Sequence, residues 1–318
     1  MGEDDAGLGE HRQDRLLHLR RAADAGLDGA AGLDRAAPLA IAGAGADDLE
    51  GGSQSDTFDL SRSDGANAFG NGGNDIFTIT SAAKLLDDSI DGGAGSDTLI
   101  LNGDFHVQTT ITASNVENIE TLQLLGAANS YDIAFADAIT TALTVDASAA
   151  ASLTFDASGD TSTAFAVTGS AGADTITGGA KADTITGGAG ADTLTGGGGA
   201  DIFNFTAAGD SNTATSYDTI TDLTTADSIH IAGLTPSFFA AETVSTYQGS
   251  LDADLASALS GMTSGAYAVV TLTGGTDPLN GHTFLIVDGN GAAGYTAGAD
   301  YVIDISGYGG DPSAVHFI

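Results

Sequence analysis

Between Gly169 and Asn204 a large apolar residue appears once in every nine positions: Ile176, Ile185, Leu194 and Phe203. Each sits in the same setting. Small residues, mostly glycine and alanine, lead to an aspartate, and the apolar residue follows two positions later between polar or β-branched neighbours, as in GGAGADTLT. The phrase reads G-G-x-G-x-D-x-U-x, where U is the large residue. A stretch such as T-I-T predicts a minimal strand that turns U inward and its two neighbours outward. The glycine-rich part predicts a tight turn whose backbone often needs positive φ. Two phrases make one coil with a turn on each edge, so that residue n stacks on residue n + 18. One coil cannot bury its two U side chains alone; stacked coils can.

The theme is looser from residue 41. IAGAGADDLEGGSQSDTFDL holds two units, at Asp47 and Asp56, and GNGGNDIFT (Asp75) and DGGAGSDTLILNGDF (Asp97) follow after uneven spacers. Residues 106–168 lose the glycines but keep short alternating runs, TTITAS, NIETLQLLG, TALTVDAS, ASLTFDAS and TAFAVTGS, each closed by a small polar turn. Their recurrence suits further rungs of a parallel solenoid. After Phe205 the period fades into β-rich runs (YAVVTLTG, HTFLIVDG, ADYVIDIS) separated by loops, with LDADLASALSGM predicting a helix among them. Residues 1–40 carry HRQDRLLHLRRAADAGL, which reads as a short helix or polar tail without an assigned role. The expected domains are 1–40, N-terminal repeats at 41–105, solenoid rungs at 106–168, the nonapeptide roll at 169–205 and a β-rich cap at 206–318.

Charge sharpens this picture. The 318 residues hold 43 acids against 8 bases, for a formal charge of −35. Arg12, Arg15, Arg20, Arg21 and Arg35 lie in the first forty positions, and only Arg62, Lys84 and Lys181 follow. Such a surface repels nucleic acid and anionic membranes and attracts cations. The lack of cysteine excludes disulfides, thiolate metal sites and a cysteine nucleophile. No apolar run approaches the roughly 18 residues of a membrane-spanning helix. The acidic start, MGEDDAGLGEHRQDR, has no apolar core of a cleavable signal peptide.

Stacking sets Asp174 against Asp192 and Asp183 against Asp201. Two carboxylates ~4 Å apart repel by ~1 kcal/mol in water and by several times more in a partly desolvated turn. The only cationic side chain nearby in sequence is Lys181. A hard divalent cation relieves the repulsion, and Ca²⁺ suits flexible carbonyl ligands better than Mg²⁺ does.

These four phrases resemble the RTX (repeats-in-toxin) calcium-binding β-roll of proteins exported by type I secretion machinery. The resemblance implies an all-β fold: a right-handed parallel β-roll or β-helix solenoid with Ca²⁺-binding glycine-rich turns, followed by a β-rich C-terminal region. It implies several ions, each between one turn and the next but one, held by backbone carbonyls and two aspartates. The first site would use Ser170, Gly172, Asp174, Gly187, Ala189 and Asp192. The second would use Gly179, Lys181, Asp183, Gly196, Gly198 and Asp201. A third would use Gly188, Gly190 and Asp192 with Phe205, Ala207 and Asp210. Asp47, Asp56, Asp75 and Asp97 join them as metal ligands of the looser repeats. Two positions depart from the pattern. Ser170 replaces the second glycine, and Lys181 occupies a glycine position that often takes positive φ, at ~1–2 kcal/mol if strained. The Lys181 ammonium should make the second site the weaker.

Neither HExxH nor G-x-S-x-G occurs in the sequence. GDSN at 209–212 resembles the nucleophile block of a lipase group, but no histidine follows in a matching motif. Asp146 and Asp156 read as turn residues between rungs. DGNGAAGYTAGAD at 288–300 opens like an EF-hand loop, lacks its closing glutamate and reads as a hairpin or long turn. SYDTITDLTTADSIHIAGL and FLIVDGNGAAGYTAGADYVIDISGY resemble the C-terminal part of bacterial surface-layer proteins. The expectation is a secreted, non-enzymatic calcium-binding protein that folds on extracellular Ca²⁺. It would leave the cell without an N-terminal signal, through an uncleaved export signal within roughly 260–318, and would form or anchor a surface layer by self-association or cell-surface attachment. The alternatives are the C-terminal calcium-binding and secretion part of a larger exported enzyme or toxin, and an adhesin.

Overall fold

The structure, a computed structural model, describes residues 31–32, 39–136, 142–207, 209–211, 216–245, 250–273 and 278–318. The leucine- and arginine-rich stretch expected as a helix or tail lies outside the described residues.

The U positions build a parallel β-solenoid of about eight turns. One parallel sheet runs its length through Leu39–Ile41, Thr57–Asp59, Ile76–Ser81, the start of Thr98–Ile111, Thr121–Leu124, Leu143–Asp146, Phe165–Thr168, Thr184–Thr186, Ile202–Phe205 and Ser228–Ile231. At the N-terminal end a five-stranded parallel sheet packs against it, made of Ala31–Gly32, Asp48–Glu50, Asn67–Phe69, Ser89–Asp91 and Val116–Glu117. The later part of Thr98–Ile111 then starts a third stack, which continues through Ser130–Ala136, Ser152–Gly159, Thr175–Thr177, Thr193–Thr195 and Asp218–Ile220. Residues 106–168 therefore pair directly with the nonapeptide roll on both sheets. Ser130–Ala136 adds a strand beyond the runs expected from sequence.

The register is the expected one: Ile176 faces Leu194 and Ile185 faces Phe203 in neighbouring rungs. All four U side chains are buried, each burial contributing ~1.5–3 kcal/mol. Identical positions stack, so aromatics meet aromatics: the rings of Phe58 and Phe77 lie parallel at 4.6 Å.

Beyond the roll the chain changes direction. Ser237–Val244 pairs parallel with Ala266–Leu272, which pairs antiparallel with Thr283–Val287, itself antiparallel to Tyr301–Asp304. Tyr301–Asp304 returns to lie parallel beside Asp218–Ile220, so this mixed sheet extends the third stack. One of its faces joins the solenoid core through Tyr267, Val269, Leu285 and Ile303. The other packs Val270, Phe284 and Ile286 against Leu251 and Leu255 of the helix Leu251–Ala258, where the sequence predicts one. Burial on both faces explains why these runs are continuously apolar. The 288–300 segment is the long connection expected between two strands, its ends fixed by N–H donation from Gly291 to Asp288 and from Thr296 to Asp300.

Candidate metal centre

The aspartates before each U residue stand at strand entrances, where the turn delivers them into the wall of the solenoid. Their carboxylates form ladders. The N–H of Asp174 donates to Oδ1 of Asp192 (2.9 Å), and that of Asp183 donates to Oδ1 of Asp201 (2.8 Å). The other carboxylate oxygen turns back over its own turn: Oδ2 of Asp183 accepts from Gly179 N–H (2.7 Å) and Oδ2 of Asp174 from Ser170 N–H (2.5 Å). Asp174, Asp183, Asp192 and Asp201 are each no more than 2 % exposed.

The looser repeats build the same ladder. Asp56 N–H donates to Asp75 Oδ1 and Asp75 N–H to Asp97 Oδ1, both at 2.7 Å, and Asp97 N–H ends on Glu120 Oε2 at 2.8 Å. The uneven spacers between these repeats are taken up by the opposite edge, for example by the helix Ala82–Asp87. Asp47 lies on that opposite edge. The residue stacked on it there is Ala66, since Asn67 N–H donates to Asp47 O, so Asp47 has no facing carboxylate.

Two expectations are corrected. The ladder above Asp192 continues to Asp218, whose Oδ1 accepts from Asp192 N–H at 2.9 Å, and not to Asp210. An eight-residue lengthening of this turn moves the stacked position on; Asp210 instead accepts from Thr206 and Ala207 N–H beside the column. Lys181 is not strained either. Among the described residues the non-glycine positions with positive φ are Asn71 (67°) and Asn118 (51°), whereas the equivalent Gly190 and Gly199 of the next rungs stand at 137° and 126°. In the first two glycine turns of the roll Gly169, Gly172, Gly178 and Gly179 have no left-handed φ, and Lys181 belongs to the second of these turns.

Asp218 and Asp227, which receives the Asp201 N–H at 2.9 Å, are ladder members that the glycine pattern misses. A shorter signal finds them. Asp-x-U survives as D-T-I at 218–220 and D-S-I at 227–229, where the glycines are gone.

The electrostatics run against charge. Burial, then the charges of Asp174 and Asp210, pushes Asp192 up to about 7 despite its hydrogen bond from Asp174. Burial with Asp227, Asp183 and Asp222 pushes Asp201 to about 6, and burial with Asp97 and Asp56 does the same to Asp75. Burial also raises Asp97, Asp174 and Asp183. Among the described residues no lysine or arginine forms an ion pair with any of these six; the one Lys pair is Lys84 with Asp64. Oδ2 of Asp75, Asp97, Asp192 and Asp218 is buried without a hydrogen-bond donor.

The turns also leave a cradle. A methyl group on Gly51 would fall 2.5 Å from Gly70 O and 2.6 Å from Asp56 Oδ2. On Gly169 it would meet Asp174 Oδ2 at 2.5 Å and Gly187 O closer still, and Gly178 and Gly70 repeat the arrangement with Asp183 and Gly196 and with Asp75 and Gly92. At each place a carboxylate oxygen of one turn and the first carbonyl oxygen of the next converge on one small volume. No three carboxylate or imidazole side chains form a metal group by themselves among the described residues. An ion here must therefore take most of its ligands from backbone carbonyls. All-oxygen donors, partly carboxylate and partly flexible carbonyl, fit calcium.

The RTX calcium-binding nonapeptide repeat model matches four copies, over residues 40–62, 87–104 and 168–203. These repeats and the parallel solenoid fit an RTX β-roll protein. Its RTX repeats bind calcium ions. The Asp75 turn and the Asp218 and Asp227 rungs extend the RTX ladder outside the matched residues. No curated protein sequence matches the chain.

The GDSN serine is structural. Ser211 is fully buried, its Oγ donates to Val302 O (2.5 Å) and accepts from Asp218 N–H (2.7 Å), and Asn212 lies outside the described residues. Asp146 and Asp156, expected as turn residues, are strand residues: Asp146 ends Leu143–Asp146, Asp156 lies within Ser152–Gly159 beside Thr177, and they accept from Ser148 and Ser158 N–H.

Proposed function

We propose that this protein is secreted, non-enzymatic and switched on by calcium: export delivers an unfolded chain, and the ion concentration outside the cell folds it into an element of a surface layer. The observation that carries the reading is the pair of buried aspartate ladders without counter-charge. The first ion would sit between the turns of Asp174 and Asp192, with Ser170, Gly172, Gly187 and Ala189 carbonyls. The second would sit between those of Asp183 and Asp201, with Gly179, Lys181, Gly196 and Gly198. The N-terminal ladder of Asp56, Asp75 and Asp97 would take ions in the same way.

Binding free energy becomes folding free energy when the site does not exist in the unfolded chain. At a hundredfold excess over its dissociation constant, each ion adds about 2.7 kcal/mol. Several ions therefore separate a chain that is unfolded at cytosolic calcium from one that is folded outside. RTX repeats are typical of exported proteins, and no helix among the described residues is long and apolar enough to cross a membrane. The surface-layer role is supported by the C-terminal resemblance and by a strongly acidic surface on which calcium can bridge copies.

Circular dichroism of the metal-stripped chain, with and without calcium, tests the switch; sedimentation at high calcium tests the layer. A spectrum indifferent to calcium would sink the first and a strict monomer the second. The roll itself is a non-catalytic module. An HExxH or G-x-S-x-G domain encoded upstream would assign it instead to an exported enzyme.

A further inference from the structure

We infer that the outer face of the long parallel sheet is where two copies of this chain meet, back to back, as a two-fold dimer. The inference deepens the self-association proposed above and rests on that reading; it names the surface and the partner, a second copy of the chain.

The strands from Leu39–Ile41 to Ser228–Ile231 keep one register, so each sends one residue into the core and the residues on either side of it outward. The inward residues, from Ala40 and Phe58 to Phe203 and Ile229, are buried. The outward ones form two columns, mostly threonine and isoleucine. Leu39 and Ile76 stand 55 % and 38 % exposed, and Ile100 and Ile202 are half-buried. The acids in these columns are Asp59 and Asp146, and neither lysine nor arginine occurs in them. In a chain of formal charge −35 this sets the face apart. The five-stranded sheet turns Glu50, Asp91 and Glu117 outward in one column, with Phe69 among them, and the third stack turns Asp132 and Asp156 outward on adjoining rungs.

Two such chains repel wherever their acids meet, so a second copy packs closely on the face that nearly lacks them. Ten strands ~4.8 Å apart make that face about 43 Å long, and two columns with their side chains make it about 14 Å wide. About 600 Å² per copy, or about 1,200 Å² in all, reaches the lower end of specific interfaces. That suits a reversible dimer and falls short of an obligate one. The register chooses the symmetry. A two-fold axis along the strands, centred between Thr121–Leu124 and Leu143–Asp146, sets each strand against the one at the mirrored place in the second copy. Asp146 then meets Gln123 of the second copy and Asp59 meets its Asn204, so both acids face amide donors. An axis along the solenoid would instead hold the two Asp59 side chains at one level, and the two Asp146 side chains at another. Thr57–Asp59 and Ile202–Phe205, near the ends of the face, directly follow the ladder residues Asp56 and Asp201, so the full face exists once calcium has ordered the rungs.

Sedimentation equilibrium of the full chain, in calcium and after metal removal, tests the face, with circular dichroism on the same samples. In calcium the unaltered chain should form dimers that tighten as added monovalent salt screens the acids. Thr121→Glu with Thr144→Glu gathers four carboxylates about the two-fold axis. This pair should keep the calcium-bound spectrum and raise the dimer dissociation constant at least a hundredfold. Should it not fold, Ala166→Glu, at an exposed position of the same column, should raise the constant at least tenfold. Thr175→Glu with Thr193→Glu, exposed on the third stack, should leave association unchanged. Association untouched by charges on the long sheet would overturn the face and leave calcium bridges between acidic surfaces to assemble the copies. A folded, strictly monomeric chain in calcium would overturn the face together with the self-association it rests on. Dimers of unchanged spectrum without metal, abolished by the Thr121 and Thr144 pair, would uphold the face and overturn the calcium reading instead.

Discussion

A buried carboxylate ordinarily finds an arginine or lysine; Asp192 finds Asp174 and Asp218. This arrangement fixes how the metal-free roll answers pH. Asp75 and Asp201 at about 6 and Asp192 at about 7 stand above the ordinary 3.8, so the folded chain holds protons that the unfolded chain has released. Their contribution is complete below pH 3.8 and is lost as pH rises through 6 and 7. The metal-stripped protein should therefore show more β structure by circular dichroism at pH 5 than at pH 8, and calcium should restore it at pH 8. Equal spectra at both pH values without metal would contradict the burial of these acids. Gly197 and Gly199 have φ of 90° and 126° and lie over the backbone of Gly179 and Lys181, so no side chain fits. Gly198 between them would place a methyl 3.4 Å from Ala180 Cα, an ordinary contact, where the other three turns carry alanine. Gly198→Ala should be neutral or stabilise by ~0.4–1 kcal/mol. Gly197→Ala should destabilise by more than the ~1–2 kcal/mol of a left-handed backbone alone, because a carbonyl blocks it too. Thermal melts in calcium check the contrast.

At the scale of the strand, the nonapeptide is legible because each of its residues has one job. The U residue points inward, the aspartate closes the turn, and the glycines permit the backbone of one rung to touch the next. Ile176, Ile185, Leu194 and Phe203, their register and their ladders all follow from that spacing. What escapes it are rungs whose turn has been lengthened. Asp218 and Asp227 lie twenty-six residues after their partners, and only Asp-x-U marks them. Asp210 misleads for the same reason: it keeps the nine-residue interval while the chain spends those residues on a longer turn. Lys181 misleads because the first two glycine turns of the roll adopt no left-handed kink, which Gly190 and Gly199 show where they lie over Gly172 and Lys181. The inward strand residues carry the packing, so Leu194→Ala should cost about 2–5 kcal/mol in calcium, read by denaturant unfolding. A loss below 1 kcal/mol would mean that the rungs are not packed as described.

Across the whole molecule, the acids are not spread evenly along the solenoid. Ladders at Asp56–Asp97 and at Asp174–Asp227 flank rungs of another kind. Between them the core is aromatic: Phe135, Phe155 and Phe165 meet with ring centroids 5.4–5.5 Å apart, and Tyr131 lies on Phe105 at 5.6 Å. Tyr131 also donates its hydroxyl to the carbonyls of Leu101 and Leu125. Asp146 and Asp156 in this region are strand residues that accept N–H from Ser148 and Ser158 and take no part in the ladders. A solenoid is stabilised mainly between neighbours, so its blocks need not respond alike to one ligand. Without calcium the outer blocks lose what neutralises them, while the middle keeps all that holds it. Hydrogen exchange on the metal-stripped chain should then find residues 121–136 and 143–168 still protected and residues 47–97 and 174–231 exchanging freely, with calcium slowing the outer two. Calcium binding would in that case extend structure outward in both directions from a preformed centre. Protection lost evenly along the chain on metal removal would show instead that the middle rungs stand only because the charged ones do.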